Sequence, residues 1–169
     1  VREDGSFEAA FDELFPRAVR LANRLLGDRA AAEDVAAEAL ARAYARWSKV
    51  GGLSYRDGWV LKVATNLAID RLRRRSPAVW PSTAGDFEDV VELRIALNAA
   101  LLTLAPRQRQ AVALRYLGGL SDQEVALALG ISLGSVKTHI HRGLKSLHGR
   151  LGTGLEEVNP LAVDGIPLA

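Results

Sequence analysis

The sequence predicts an all-α protein of two small helical domains joined by a flexible linker, the second domain containing a helix-turn-helix. Apolar residues recur at spacings of three and four along most of the chain, and no segment alternates with the period of two that a half-buried strand requires. Between residues 76 and 90 the helical period disappears in a stretch holding Pro77 and Pro81 among Ser, Thr and Gly. The 169 residues suffice for two small domains, and with 49% hydrophobic and 25% charged side chains they can bury modest cores.

The first domain is read as residues 1–75. Phe7, Phe11, Leu14, Ala18, Leu21 and Leu25 form the stripe of an amphipathic helix, in which Pro16 predicts a kink or a fresh start. Gly27 closes that helix and Asp28 caps the next, whose stripe is Ala36, Leu40, Ala43 and Trp47. The glycines and polar residues from Lys49 to Asp57 read as a loop. From Trp59 a third helix places Val60, Val63, Ala64, Leu67, Ala68 and Leu72 on one side. Lys62, Asn66, Asp70, Arg73 and Arg74 lie on the other, a wet and basic side.

The linker, 76–90, is acidic through Asp86, Glu88 and Asp89. The second domain, 91–150, starts with a helical pattern from Val91 to Leu104, and Pro106 suits the first position of a further helix that ends near Gly118 and Gly119. The remaining segment, 151–169, combines glycines, prolines and acids and is expected to be disordered.

The most informative stretch begins at Ser121-Asp122-Gln123-Glu124. Its S-x-x-E form is a capping box, in which Ser and Glu satisfy each other's backbone donors at a helix start. Val125 and Leu129 can face a core, Ala126 is small where a second helix approaches, and Gly130 stands where the chain must turn. A second helix follows Ser132 with Val136, Ile140, Leu144 and Leu147 inward. Ser135, Lys137, Thr138, His141, Arg142 and Lys145 are then left to a polar, cationic side. A helix of this kind fits a DNA major groove, its first turns reaching base edges while flanking cations neutralise phosphates. Arg142 suits either a bidentate guanine contact or a phosphate clamp.

Charge supports that direction through its distribution. The formal net charge is only +2, yet residues 1–40 carry nine acidic against five basic side chains, and residues 56–75 carry six basic against two acidic. Residues 133–150 hold Lys137, Arg142, Lys145 and Arg150 with no acid. Two separated basic patches suit a two-site polyanion binder. The chain has no cysteine, which excludes disulfides and thiol-based sensing, and it has no phosphate-binding glycine loop. His139, His141 and His148 share one helix without the i,i+4 pairing of a metal site. No enzymatic activity, cofactor or metal is therefore expected. No apolar run reaches the roughly 20 residues of a membrane span, so a cytoplasmic location without membrane insertion is expected.

As a set, these runs resemble the extracytoplasmic-function sigma factors of bacterial RNA polymerase, within the sigma-70 family. Glu33 to Trp47, in the run AEDVAAEALARAYARW, resembles the helix by which sigma factors grip the polymerase clamp. WVLKVATNLAIDRLRRR, Trp59 to Arg75, resembles the helix for the minus-ten promoter element, and Leu102 to Leu147 resembles the domain for the minus-thirty-five element. The resemblance implies a polymerase-binding surface at Asp34, Glu38, Leu40 and Arg42. It implies a minus-ten surface at Tyr55, Arg56, Lys62, Asn66, Asp70, Arg73 and Arg74, with a flipped base near the loop 51–57 and Trp59 as either a stacking partner or a core residue. The minus-thirty-five contacts would be Ser135, Lys137, Thr138, His141, Arg142 and Lys145. Core RNA polymerase, promoter DNA and an anti-sigma protein are the implied partners. Ala37 stands where many relatives carry Gln, which implies one polar polymerase contact fewer. VKTHIHRGLKSL also resembles the recognition helix of LuxR-type regulators, a reading that leaves the first 75 residues unexplained.

Overall fold

A computed structural model describes residues 6–75 and 90–152; residues 76–89 of the linker and 153–169 of the C-terminal segment, with the expectations placed on them, lie outside the described residues, while Val90 and Leu151 belong to helices. The described residues form helices α1 (Phe7–Leu26), α2 (Arg29–Tyr44), α3 (Trp47–Val50), α4 (Arg56–Arg75), α5 (Val90–Thr103), α6 (Pro106–Val112), α7 (Asp122–Leu129) and α8 (Leu133–Leu151). A π-helical turn, Ala113–Leu117, continues α6.

In the first cluster α1, α2 and α4 pack together. Ser6 starts α1 by accepting from the Ala9 amide at 3.2 Å. Gly27 ends it at φ +61°, a left-handed position that favours glycine. Asp28 then accepts from the Ala31 amide at 3.1 Å and begins α2. Leu14, Leu21, Leu25, Val35, Leu40 and Leu61 fill the core. Alanines at 18, 22, 32, 36, 39, 43, 64 and 68 are wholly inaccessible and let the helix backbones approach closely. Each leucine so buried stabilises the fold by about 1.5–3 kcal/mol.

The fresh start allowed for at Pro16 does not occur, since α1 runs through it. The missing amide frees the carbonyl of Asp12, but Asp12 and Pro16 are both exposed, so water can satisfy it. The stripe on either side of the proline is buried against α2 and α4, and this offsets the lost bond. The expected loop 49–57 is shorter than its composition suggests, because α3 and the first turn of α4 occupy its ends.

Asp28 also ties the helix corner to the end of α4, accepting from Arg75 at 3.0 Å. The Ala31 amide and then Arg75 hold its carboxyl below the usual carboxylate range. A carboxyl whose pKa is lower in the folded than in the unfolded chain stabilises the fold above the unfolded value of 3.8, and that contribution disappears as pH falls through the folded value. Asp28→Asn should therefore lower stability at pH 7, with the deficit shrinking below about pH 4; urea denaturation at pH 7 and pH 3 checks it. A deficit that stays constant between the two would show that the charge does not contribute.

The second cluster is built around α8, which α5, α6 and α7 flank. Arg109 of α6 is only 6% exposed and donates to the carbonyls of Leu101 at 3.0 Å, Leu102 at 3.2 Å and Leu104 at 2.8 Å. They lie at the partially negative end of α5, where the helix leaves carbonyls short of partners; that of Leu101 also accepts from the Leu104 amide at 3.1 Å. Burial, and then Arg73, lower the pKa of the guanidinium, while the three carbonyls compensate its charge. Gly143 allows α8 to approach α6: a Cβ there would lie 2.8 Å from Val112 Cγ2.

The clusters also touch each other. Gly58 of α4 faces Ala128 of α7, and Leu21 of α1 approaches Gly118, where a Cβ would lie 3.1 Å from Leu21 Cδ1. Arg24 donates to the Leu117 carbonyl at 2.8 Å, Lys62 to the Ala128 carbonyl at 2.9 Å, Gln110 to Asn66 at 3.0 Å, and Asn98 to the Leu25 carbonyl.

Candidate nucleic-acid interface

The helix-turn-helix is set by its caps. Ser121 Oγ accepts from the Glu124 amide at 3.2 Å while Glu124 accepts from the Ser121 amide at 2.7 Å, completing the capping box. Gly130, at φ +65°, turns the chain, and the Ile131 amide closes the turn on the Ala126 carbonyl at 3.1 Å. Ser132 then caps α8 by accepting from the Ser135 amide at 3.1 Å.

Helix α8 is two-sided. Val136, Ile140, Gly143, Leu147 and Leu151 are buried. Lys137, Thr138, His141, Arg142 and Lys145 are exposed along the other side. Ser135 is half-buried at the first turn, where its hydroxyl lies 2.8 Å from that of Ser132. Thr138 donates back to the Gly134 carbonyl at 3.0 Å, which leaves its exposed oxygen able to accept. Among the described residues no three His, Asp or Glu side chains gather as a metal site, and no helix is long and apolar enough to cross a membrane.

The expected minus-ten residues divide into three groups. Tyr55 and Arg56 sit at the start of α4, where Arg56 lies 5.9 Å from the Trp47 ring centroid and 3.8 Å from Glu13. Trp59 is partly buried against the core. Asp70, Arg73 and Arg74 are exposed near the far end of α4, Asp70 and Arg73 being 3.6 Å apart. Lys62 and Asn66 depart from the wet side expected of them: both are half-buried beneath the second cluster. Burial, and then Arg107, push the Lys62 ammonium below its usual pKa.

On α2, Asp34, Glu38 and Arg42 are exposed, with Arg42 bonded to Glu38 at 2.8 Å and Asp34 facing Arg71 at 3.4 Å. Leu40 does not belong to that surface. It is 1% exposed and packs the core, as its place in the apolar stripe of α2 demands.

Comparison with known proteins identifies the family. Residues 10–77 match the family described as sigma-70 region 2 and residues 94–147 the family described as sigma-70, region 4. Over 139 residues the chain is 34% identical to the RNA polymerase sigma-E factor of Streptomyces coelicolor, covering 79% of this chain and 78% of that one. This chain is an extracytoplasmic-function sigma factor of the sigma-70 family. The ECF RNA polymerase sigma factor SigW of Bacillus subtilis is 32% identical over 152 residues, covering 78% of this chain and 81% of its own. The fold is shared with the sigma factor RpoE of Bartonella quintana, solved in complex with the anti-sigma factor NepR, at a TM-score of 0.56 and 22% identity over 86% of this chain and 96% of that one.

As a sigma factor the protein binds core RNA polymerase and promoter DNA and carries out no covalent chemistry. The LuxR-type reading falls, because the region 2 match accounts for the residues it left unexplained. Two arginines of this sigma factor escaped the sequence reading. Arg71 anchors α4 to the Ala31 carbonyl at 3.0 Å, and Arg109 holds the end of α5; both fall in cationic runs in which any one residue reads as a surface charge.

Proposed function

We propose that residues 1–75 hold the polymerase through Asp34, Glu38 and Arg42 of α2 and the minus-ten element through α4, while residues 91–150 hold the minus-thirty-five element through α8. Tyr55 and Arg56 stand beside a base flipped from the melted strand, and Lys62, Asn66, Asp70, Arg73 and Arg74 follow the adjacent strand. Ser135, Lys137, Thr138, His141, Arg142 and Lys145 face the major groove. With both surfaces on one promoter, the sigma factor helps separate the strands near the start site. Residues 76–90 tether the two domains.

The observation that supports this reading most is the two-sidedness of α8, whose cationic side is exposed while its apolar side seals the core. The Bartonella quintana relative is bound to an anti-sigma factor. We infer a partner of that class here, and a cytoplasmic site of action beside the polymerase.

Transcription of fragmented genomic DNA by core polymerase, with and without the protein, tests the assignment through sequenced RNA 5′ ends. New starts sharing a two-part upstream motif are expected. Sequence-specific binding by the protein alone, with no new starts, would overturn the reading.

A further inference from the structure

We infer that Arg17 and Glu13 of α1 are positioning residues for promoter recognition: through Asp57 and Arg56 they fix the loop 51–55, beside which one flipped base of the minus-ten element is read. The inference deepens the minus-ten reading proposed above and rests on it.

The loop leaves α3 after Val50 and enters α4 at Arg56. Its own hydrogen bonds are short-range, from the Gly51 amide to the Trp47 carbonyl at 2.8 Å, the Leu53 amide to the Val50 carbonyl at 3.1 Å and the Arg56 amide to the Leu53 carbonyl at 3.2 Å. Such bonds curl a loop without tying it to distant parts of its domain. Helix α1 supplies a tie at each end. At the entry, a Cβ on Gly51 would lie 2.8 Å from Trp47 Cε2, so the backbone rests on the indole, which meets the Phe7 ring edge-on at 5.1 Å between centroids. At the exit, Asp57 Oδ2 accepts from Arg17 at 2.7 Å, and Asp57 Oδ1 accepts from Arg56 Nε at 3.4 Å. Glu13 lies 3.8 Å from each of the two guanidinium groups and completes a ring of alternating charges.

This ring differs from an ordinary surface ion pair. Arg17, Arg56 and Asp57, at 27%, 25% and 29% exposure, are the least exposed ion-paired side chains among the described residues, so solvent screens their attraction less. Asp57 occupies the first turn of α4, whose partially positive end favours its charge before any arginine is added. What Arg17 adds is a bond from another helix. Held by Asp57, Glu13 and the Trp47 ring, Arg56 has a set direction and braces the loop. The loop meanwhile leaves Gly52 and Ser54 exposed, and a Cβ on Gly52 would meet nothing within 4 Å. A fixed backbone with open space beside it is what discrimination among bases held outside the stack requires.

Initiation by core polymerase with the full-length protein, on promoters carrying each of the four bases in turn at every minus-ten position, tests the inference. Arg17→Met should relax preference at one position by about fivefold or more, with preference elsewhere and core binding held within about twofold. Arg17→Lys, which keeps the charge, should retain most of that preference. Asp57→Asn should relax the same position, and combining it with Arg17→Met should cost no more than the worse single change, because both break one bond. Unchanged preference, a loss spread evenly over all positions, equal losses in Arg17→Lys and Arg17→Met, or additive losses would each overturn the inference. Glu13 is 55% exposed, so Glu13→Gln keeps the fold even where Arg17→Met does not. It should relax the same position by about twofold, and no change there would overturn the inference as well.

Amide hydrogen exchange reads the loop directly. In Arg17→Met the Leu53 and Arg56 amides should exchange about fivefold faster than in the unmodified chain, and equal rates would overturn the tie from α1. If Ser54→Ala with Tyr55→Ala leaves base preference unchanged at every position, the minus-ten reading of the loop fails and the positioning role falls with it, while exchange still reports whether α1 holds the loop.

Discussion

Arg109→Met is expected to destabilise the second domain by about 3 kcal/mol, measured as a lower urea midpoint at an unchanged slope. The methionine keeps much of the buried stem but donates nothing, so the carbonyls of Leu102 and Leu104 lose their donor together, while that of Leu101 keeps only the Leu104 amide. A buried acceptor left unsatisfied costs about 1–3 kcal/mol, and partial entry of water holds the total for two at about 3 kcal/mol. Arg109→Lys should recover only part of the loss, because one ammonium cannot fork across carbonyls that the planar guanidinium spans from two nitrogens. A loss under about 1 kcal/mol would mean that the α5 terminus finds other partners.

Arg142→Ala should weaken promoter binding by about 1–3 kcal/mol. Arg142 is exposed on the cationic side of α8 and, among the described residues, no hydrogen bond or ion pair holds its guanidinium in place. If it reads a guanine, the penalty should fall on one base position and preference there should relax. If it clamps a phosphate, binding should weaken uniformly across sequences and the salt dependence should drop by about one counterion. Binding titrations on a set of single-base promoter variants at two salt concentrations separate these results, and an unchanged affinity throughout would remove Arg142 from the interface.

What was legible in the sequence was local. The capping box at Ser121 and Glu124, the glycine turn at Gly130 and the Gly27-Asp28 corner all depend on residues within a few positions of one another. The inward and outward sides of α8 followed from spacing alone, because a helix with one buried side has little freedom in its register. Contacts distant in sequence were not legible. Pro16 read as a kink or a fresh start because the helical bond it removes is visible in the sequence, whereas the burial of the flanking stripe against α2 and α4 is not. Leu40 illustrates two warrants in conflict: its periodicity placed it in the core, family resemblance placed it on the polymerase surface, and periodicity prevailed. Lys62 and Asn66 were read onto the side of α4 opposite its apolar stripe, but nothing in the spacing announced that another domain would lie against that side.

Arg24, Lys62 and Asn98 all donate across the domain boundary to main-chain oxygens, those of Leu117, Ala128 and Leu25. A carbonyl survives every amino-acid replacement that preserves the local backbone. The outward residues of α8 can therefore drift over evolutionary time, as they must when a promoter changes, without erasing the acceptors through which the domains meet. Promoter preference and interdomain cohesion are thus separately heritable in this chain, and a duplicated copy could acquire new target sequences while keeping its ancestral interdomain bonds.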